Sequence, residues 1–157
     1  MAITAEAALF EWADNATQRS MVAMMRFNQA HNLSISMVNV LFHAAWQKHV
    51  TINELARELG VSMPAVSQMV ARMVEQGWVK REECLIDRRE RIISVTEDGM
   101  GLVSRAKIAQ HAWIKDFMAN LTEAEKQKVL PGLELLNQKM SLFNAEADKL
   151  RNESKEN

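Results

Sequence analysis

The chain has 157 residues, of which 48% are hydrophobic and 25% charged, an ordinary composition for one globular domain with or without extended arms. Nineteen Lys and Arg against twenty Asp and Glu leave a formal net charge of -1, which excludes a uniformly basic coat, so any grip on nucleic acid has to come from a local patch. No apolar run approaches the ~20 residues of a membrane-spanning helix, Met1 to Glu11 lack a secretory signal, and the lone Cys84 excludes an internal disulfide; a cytoplasmic protein with no membrane partner is expected.

Five glycines and two prolines in the whole chain favour long helices. The first carries Leu9, Trp12, Ala16, Ala23, Phe27 and Ala30 on one stripe, spaced by three, four or seven residues. Such a stripe needs a partner, either in this chain or in a second copy. Asn32 to Ser34 reads as a break. A second helix follows, with Met37, Leu41, Ala44, Ala45 and Lys48 roughly on one face.

Thr51-Ile52-Asn53-Glu54 has the form of a capping box. It opens a short helix with Leu55, Ala56 and Leu59 inward, closed by Gly60, where a left-handed turn costs least. Ser62 caps the next helix, and Pro64 is tolerated in its first turn because early amides have no helical partner. That helix runs to about Gln76. It turns Val66, Met69, Val70 and Met73 inward and Pro64, Ser67, Gln68, Ala71, Arg72 and Glu75 outward.

After Gly77 the period changes to that of strands, at Trp78 to Arg81 and Arg91 to Thr96, joined by a charged loop from Glu82 to Glu90. Thr96-Glu97-Asp98-Gly99 caps another helix, with Leu102, Ala106, Ala109, Trp113 and Phe117 on one stripe. A second capping box, Thr122 to Glu125, opens a last helix carrying Val129, Leu133, Leu136, Met140 and Phe143, with a kink expected at Pro131. A frayed polar tail is expected from Arg151.

A helix, a tight turn, a second helix with a polar outer face and then a hairpin make a winged helix-turn-helix. A helix fits the major groove of B-form DNA and its early side chains reach base edges. Ser62, Met63, Pro64, Ser67, Gln68 and Arg72 are therefore the candidate contacts on the helix, and Asp87, Arg88 and Arg89 those on the wing, where an arginine can enter a narrow minor groove. The alternative for both sets is a solvated surface. Ser62 to Arg81 carries three cations against Glu75, a modest local excess.

The order of these pieces resembles the MarR family of bacterial transcriptional regulators. The resemblance rests on Ile52-Asn53-Glu54-Leu55-Ala56-Arg57-Glu58-Leu59-Gly60-Val61-Ser62, on Gln76-Gly77-Trp78-Val79, on Asp87-Arg88-Arg89, and on Val95-Thr96-Glu97-Asp98-Gly99. It implies a mainly α fold with a small β-hairpin wing. An N-terminal dimerisation helix over residues 1–33, a DNA-binding lobe over 34–100, C-terminal dimerisation helices over 101–150 and a flexible tail over 151–157 follow from it. It also implies a homodimer on a pseudo-palindromic double-stranded operator, with Arg88 as the favoured minor-groove residue, oriented by Asp87. Family members commonly repress genes, and many release DNA when a small aromatic or anionic effector binds.

Departures from the family pattern are informative. Apolar Cys84-Leu85-Ile86 stands just before Asp87, and with the near-neutral charge it motivates an alternative, a protein-interaction dimer of anti-repressor type that has lost DNA reading. The peroxide-sensing branch carries its cysteine in the first helix, where this chain has none, so Cys84 does not correspond to it. His31, His43, His49 and His111 form no pair at three or four spacing, and no metal site is expected. Eleven methionines suit adaptable core filling. The sharper alternative is a ligand pocket lined by Trp12, Met24, His43, Trp46, Trp113 and Phe117. Nothing resembles a phosphate loop or a nucleophile motif, so neither an enzyme nor a cofactor is expected.

Overall fold

The computed structural model describes residues 3–47, 50–83 and 91–153, the last seven of these as helix backbone only. Asp87, Arg88, Arg89, Cys84, Leu85, Ile86, Lys48 and His49 lie outside the described residues.

Helix α1 (Ala5–Ala30) starts where the Thr4 hydroxyl accepts from the Ala7 amide at 3.2 Å, and its end is followed by Asn32 at a positive φ of 52°. Asparagine is one of the few side chains that tolerates this conformation, which makes the expected break a real one. Ser34 then caps α2 (Ile35–Gln47) by accepting from the Met37 amide at 3.1 Å. The two-residue strand β1 (Val50–Thr51) precedes α3 (Ile52–Leu59) and α4 (Met63–Glu75). Strands β2 (Val79–Glu83) and β3 (Arg91–Val95) form the hairpin base, and α5 (Glu97–His111) follows.

The sheet has three antiparallel strands in the order β1-β3-β2, with Val50 opposite Ile93 and Arg81 also opposite Ile93 from the other side. The hairpin alone was expected. Two residues are too few to display alternation, which is why β1 has no signature of its own. Strand β2 also begins one residue later and ends two residues later than its sequence suggests, because the ladder continues to the Glu83–Arg91 pair.

Two compact units divide the chain, residues 1–113 and 114–157. In the first, Leu41, Leu55, Val66, Val70, Met73, Val79, Ile93 and Leu102 are nearly inaccessible to solvent and form one core with Phe27, Met37 and Val103. Each such side chain contributes roughly 1.5–3 kcal/mol on burial. Helix α5 packs on α1 and α2, which seats the lobe's last element on its first two.

The stripe expected to run from Leu102 to Phe117 is interrupted. Helix α5 ends at His111 and α6 (Trp113–Ala119) starts after Ala112; Leu102 and Ala106 are buried, Trp113 is half-buried and Phe117 is exposed. The apolar spacing continues across Ala112 although the hydrogen-bonded helix does not, so periodicity alone could not reveal the joint.

In the second unit, α7 (Glu123–Glu153) is a single helix through Pro131 and reaches two residues past the point where fraying was expected. Its start is held by the second capping box, with the Thr122 amide donating to Glu125 Oε2 at 2.8 Å. Val129, Leu133, Leu136, Met140 and Phe143 all remain exposed. So do Leu9, Trp12 and Met21 on α1. Among the described residues, no helix is long and apolar enough to cross a membrane.

Candidate nucleic-acid interface

Local chemistry sets the two helices of the motif. The Glu54 amide donates to Thr51 Oγ1 at 3.2 Å, and the Thr51 amide donates to Glu54 Oε2 at 2.8 Å, completing the capping box. Gly60 then adopts φ 64°, ψ 30° and closes α3 through its amide to the Ala56 carbonyl. A side chain at that φ would be strained, so Gly60 fixes the turn between the helices. Ser62 restarts the chain as a helix by accepting from the Ala65 amide at 3.4 Å, with Pro64 in the first turn.

Val66, Val70 and Met73 anchor α4 in the core, and this anchoring decides what faces outward. Ser62, Met63, Pro64, Gln68 and Arg72 are exposed and Ser67 is half-buried, all on the side away from that core. A concavity on one flank of this ridge is lined by Met63, Pro64, Ser67, Thr51, Ile52, Asn53 and Arg91. Another, on the wing side, is lined by Pro64, Ala65, Ser67, Gln68, Ala71 and Arg81. The ridge is thus a protruding probe with a polar tip, the shape a groove admits.

Charge around the ridge is partly neutralised. Lys80 Nζ lies 2.7 Å from Glu82 Oε1, and Arg91 Nη1 lies 3.0 Å from Glu83 Oε1 across the hairpin. Ser94 donates to Glu82 Oε2 at 3.0 Å. Among the described residues Arg72 has no ion-pair partner, so its charge is available one turn beyond Gln68. Arg81 Nη2 donates to the Ser67 carbonyl at 2.9 Å. Sequence reasoning did not single out Arg81 or Arg91; strand alternation from Val79 would have placed Arg81 on the face turned to α4.

The Thr51 amide donating to the Glu54 carboxylate holds the Glu54 pKa below its ordinary 4.5, aided by the Thr51 hydroxyl and the Arg57 and His43 charges, while burial opposes the shift. The folded value is depressed, so the stabilisation is present above pH 4.5 and is lost as pH falls through the folded value. We expect Glu54→Gln to lower stability at pH 7 and to flatten the loss below pH 4.5, read by urea melts across that range. An equally steep acid loss in the variant would discount the cap.

The six residues considered for a ligand pocket have these surroundings. Trp46 is 88% exposed and Trp12 51% exposed. His43 pairs through Nε2 with the Glu58 carboxylate, joining α2 to α3. Trp113 Nε1 donates to Ser20 Oγ at 3.0 Å, and Met24 packs against the core. Phe117 lies in the second unit. Neither concavity beside α4 is lined by any of them. Among the described residues no group of three or more His, Cys, Asp or Glu is placed to hold a metal ion.

Comparison with known proteins adds an independent line. Residues 31–90 match a family model described as the MarR family. An HTH-type transcriptional regulator of Mycobacterium tuberculosis is 28% identical over 113 residues, covering 71% of this chain and 79% of the relative. The crystal structure of transcriptional regulator Tm0710 from Thermotoga maritima superposes with a TM-score of 0.76 at 19% identity, covering 89% of this chain and 96% of that one. A MepR variant from S. aureus, solved bound to an oligodeoxyribonucleotide, superposes with a TM-score of 0.67 at 16% identity over 87% of this chain and 99% of that one.

Proposed function

We propose that this chain, whose residues 31–90 match a family model described as the MarR family, is a member of that family and acts as a homodimeric, sequence-specific reader of double-stranded DNA that represses transcription and is released by a small ligand. The observation that carries the reading is the α4 ridge. Its amino end is capped, its inner face is locked by Val66, Val70 and Met73, and its polar side chains protrude between two grooves. Helix amino-terminal amides favour a phosphate, and Gln68 and Arg72 are of the types that read adenine and guanine edges. Arg88, in the sequence between β2 and β3, is the proposed minor-groove residue, with Asp87 and Arg89 next to it in the chain.

Exposed apolar side chains on α1 and α7 support the dimer, since leaving Leu133, Leu136, Met140 and Phe143 in water forgoes the burial that would stabilise a two-chain hub. Two copies would then present two α4 ridges to successive major grooves, ~34–36 Å apart. A small aromatic or anionic effector would act by binding better to a dimer whose ridges are at another spacing.

Gln68→Ala tests the ridge directly. It should relax preference at one base position by about 1–3 kcal/mol while leaving most of the affinity intact. Competition titrations with single-base operator variants read this out, and an unchanged preference at every position would remove Gln68 from the reading surface.

A second reading is favoured by one feature, the neutralisation of Lys80 and Arg91 by Glu82 and Glu83. It is a protein-interaction dimer of the same fold that no longer reads DNA. Retention of duplex by the wild-type chain in a gel shift would exclude it.

A further inference from the structure

We propose that Arg81 is a positioning residue, tethering the base of the wing to the flank of the recognition helix and so fixing the angle at which both meet DNA; this rests on the DNA-reading role proposed above. Alternation along β2 places Arg81 on the same face as buried Val79, turned to α4, whereas Lys80 and Glu82 face the other way and engage each other and Ser94. From that face the Arg81 guanidinium reaches 2.9 Å to the main-chain carbonyl of Ser67.

The acceptor is informative. Ser67 lies in the second turn of α4, and helix geometry already commits its carbonyl to the amide of Ala71. A carbonyl has two lone pairs, so the arginine adds a charge-assisted bond without displacing the helical one. Such a bond grips the backbone rather than a rotamer. It therefore holds the register of the whole ridge, including Pro64, Gln68 and Ala71, which line the same concavity as Arg81. Arg81, itself exposed, sits opposite Ile93, whose side chain is nearly inaccessible in the lobe's core. The tether thus runs from a strand paired with the core strand to the outer side of α4.

A phosphate contact is the competing role for an exposed arginine here, and the two predict different behaviour. A lost phosphate contact weakens binding uniformly across sequences and lowers the salt slope by ~0.9. A lost tether lets the ridge rock, which costs discrimination more than bulk attraction.

Full-length R81M and R81A are compared with wild type; methionine keeps an apolar stem and removes the donors. The first readout is amide hydrogen exchange without DNA. We expect exchange in the first half of α4 and in β2 to rise on the order of tenfold in both variants, the scale of one lost charged hydrogen bond. Unchanged rates in R81M overturn the tether. The second readout is the ratio of affinity for the selected operator to affinity for random duplex, across salt. A ratio lowered on the order of tenfold supports positioning, and a uniform loss with a shallower salt slope overturns it in favour of phosphate contact. A wild-type chain that retains no duplex sinks the functional reading instead, and the exchange rates still decide the tether by themselves.

Discussion

Replacing Gly99 with alanine is expected to cost about 3 kcal/mol or more, at the upper end of what overpacking a fixed site costs. Gly99 is buried in the first turn of α5, where its amide donates to Thr96 Oγ1 at 3.1 Å. A Cβ there would fall on the Trp78 carbonyl oxygen and lie 2.6 Å from Val95 Cγ1. The first obstacle is backbone and cannot swing aside. It is also engaged, since the Thr96 amide donates to that carbonyl at 3.0 Å while the Thr96 hydroxyl donates to the Gly77 carbonyl at 2.5 Å. This small junction joins the segment after α4, the start of β2 and the start of α5. Gly99→Ala must open it, so the melt should move by roughly 2–4 °C per kcal/mol for a chain of this size. A calorimetric or circular-dichroism midpoint within a degree of wild type would show that the junction yields more easily than its geometry implies. Gly132, where an added Cβ meets nothing within 4 Å, is the control position.

The second large effect concerns assembly. Leu136 and Met140 lie one turn apart on α7 and are 43% and 58% exposed, so charging both should leave the helix itself able to form. If their stripe builds a two-chain hub, Leu136→Glu with Met140→Glu should halve the mass in sedimentation while the lobe keeps its helical signal. Operator affinity should then fall by roughly 10²–10⁴, the factor gained when a second half-site is engaged intramolecularly. Loss of DNA binding with the dimer intact would place those side chains elsewhere in the mechanism, and an unchanged mass would remove them from the interface.

How much of this was readable beforehand differs between elements for physical reasons. The turn between α3 and α4 was legible because each part has its own local chemistry: Thr51 and Glu54 close a reciprocal cap, Gly60 takes the left-handed corner, and Ser62 restarts the chain. The faces of α4 followed from 3.6-residue spacing, and Val66, Val70 and Met73 are buried accordingly. Strand β1 was not legible, since Val50 and Thr51 are strand only by virtue of Ile93 and Ile92 across the ladder. The joint at Ala112 was hidden for the reverse reason, because the apolar spacing runs on while the hydrogen bonding stops. Among candidate site residues, those on the helix could be listed from exposure alone. The partner of Arg81 could not be, because it is a single main-chain acceptor fourteen residues earlier in the chain. For the aromatic set composition fixes neither exposure nor partners: Trp46 is exposed and Trp113 donates to Ser20 Oγ, and neither fact has a signature in the sequence.

On the proposed function, two identical α4 ridges read two halves of one duplex site. Selection of bound duplexes from a random pool by the full-length wild-type protein tests it most directly. The expected result is two inverted half-sites whose centres lie about 10–10.5 base pairs apart, one turn of the double helix. No enrichment over the starting pool, or enrichment of a single unsymmetrical element, would contradict it.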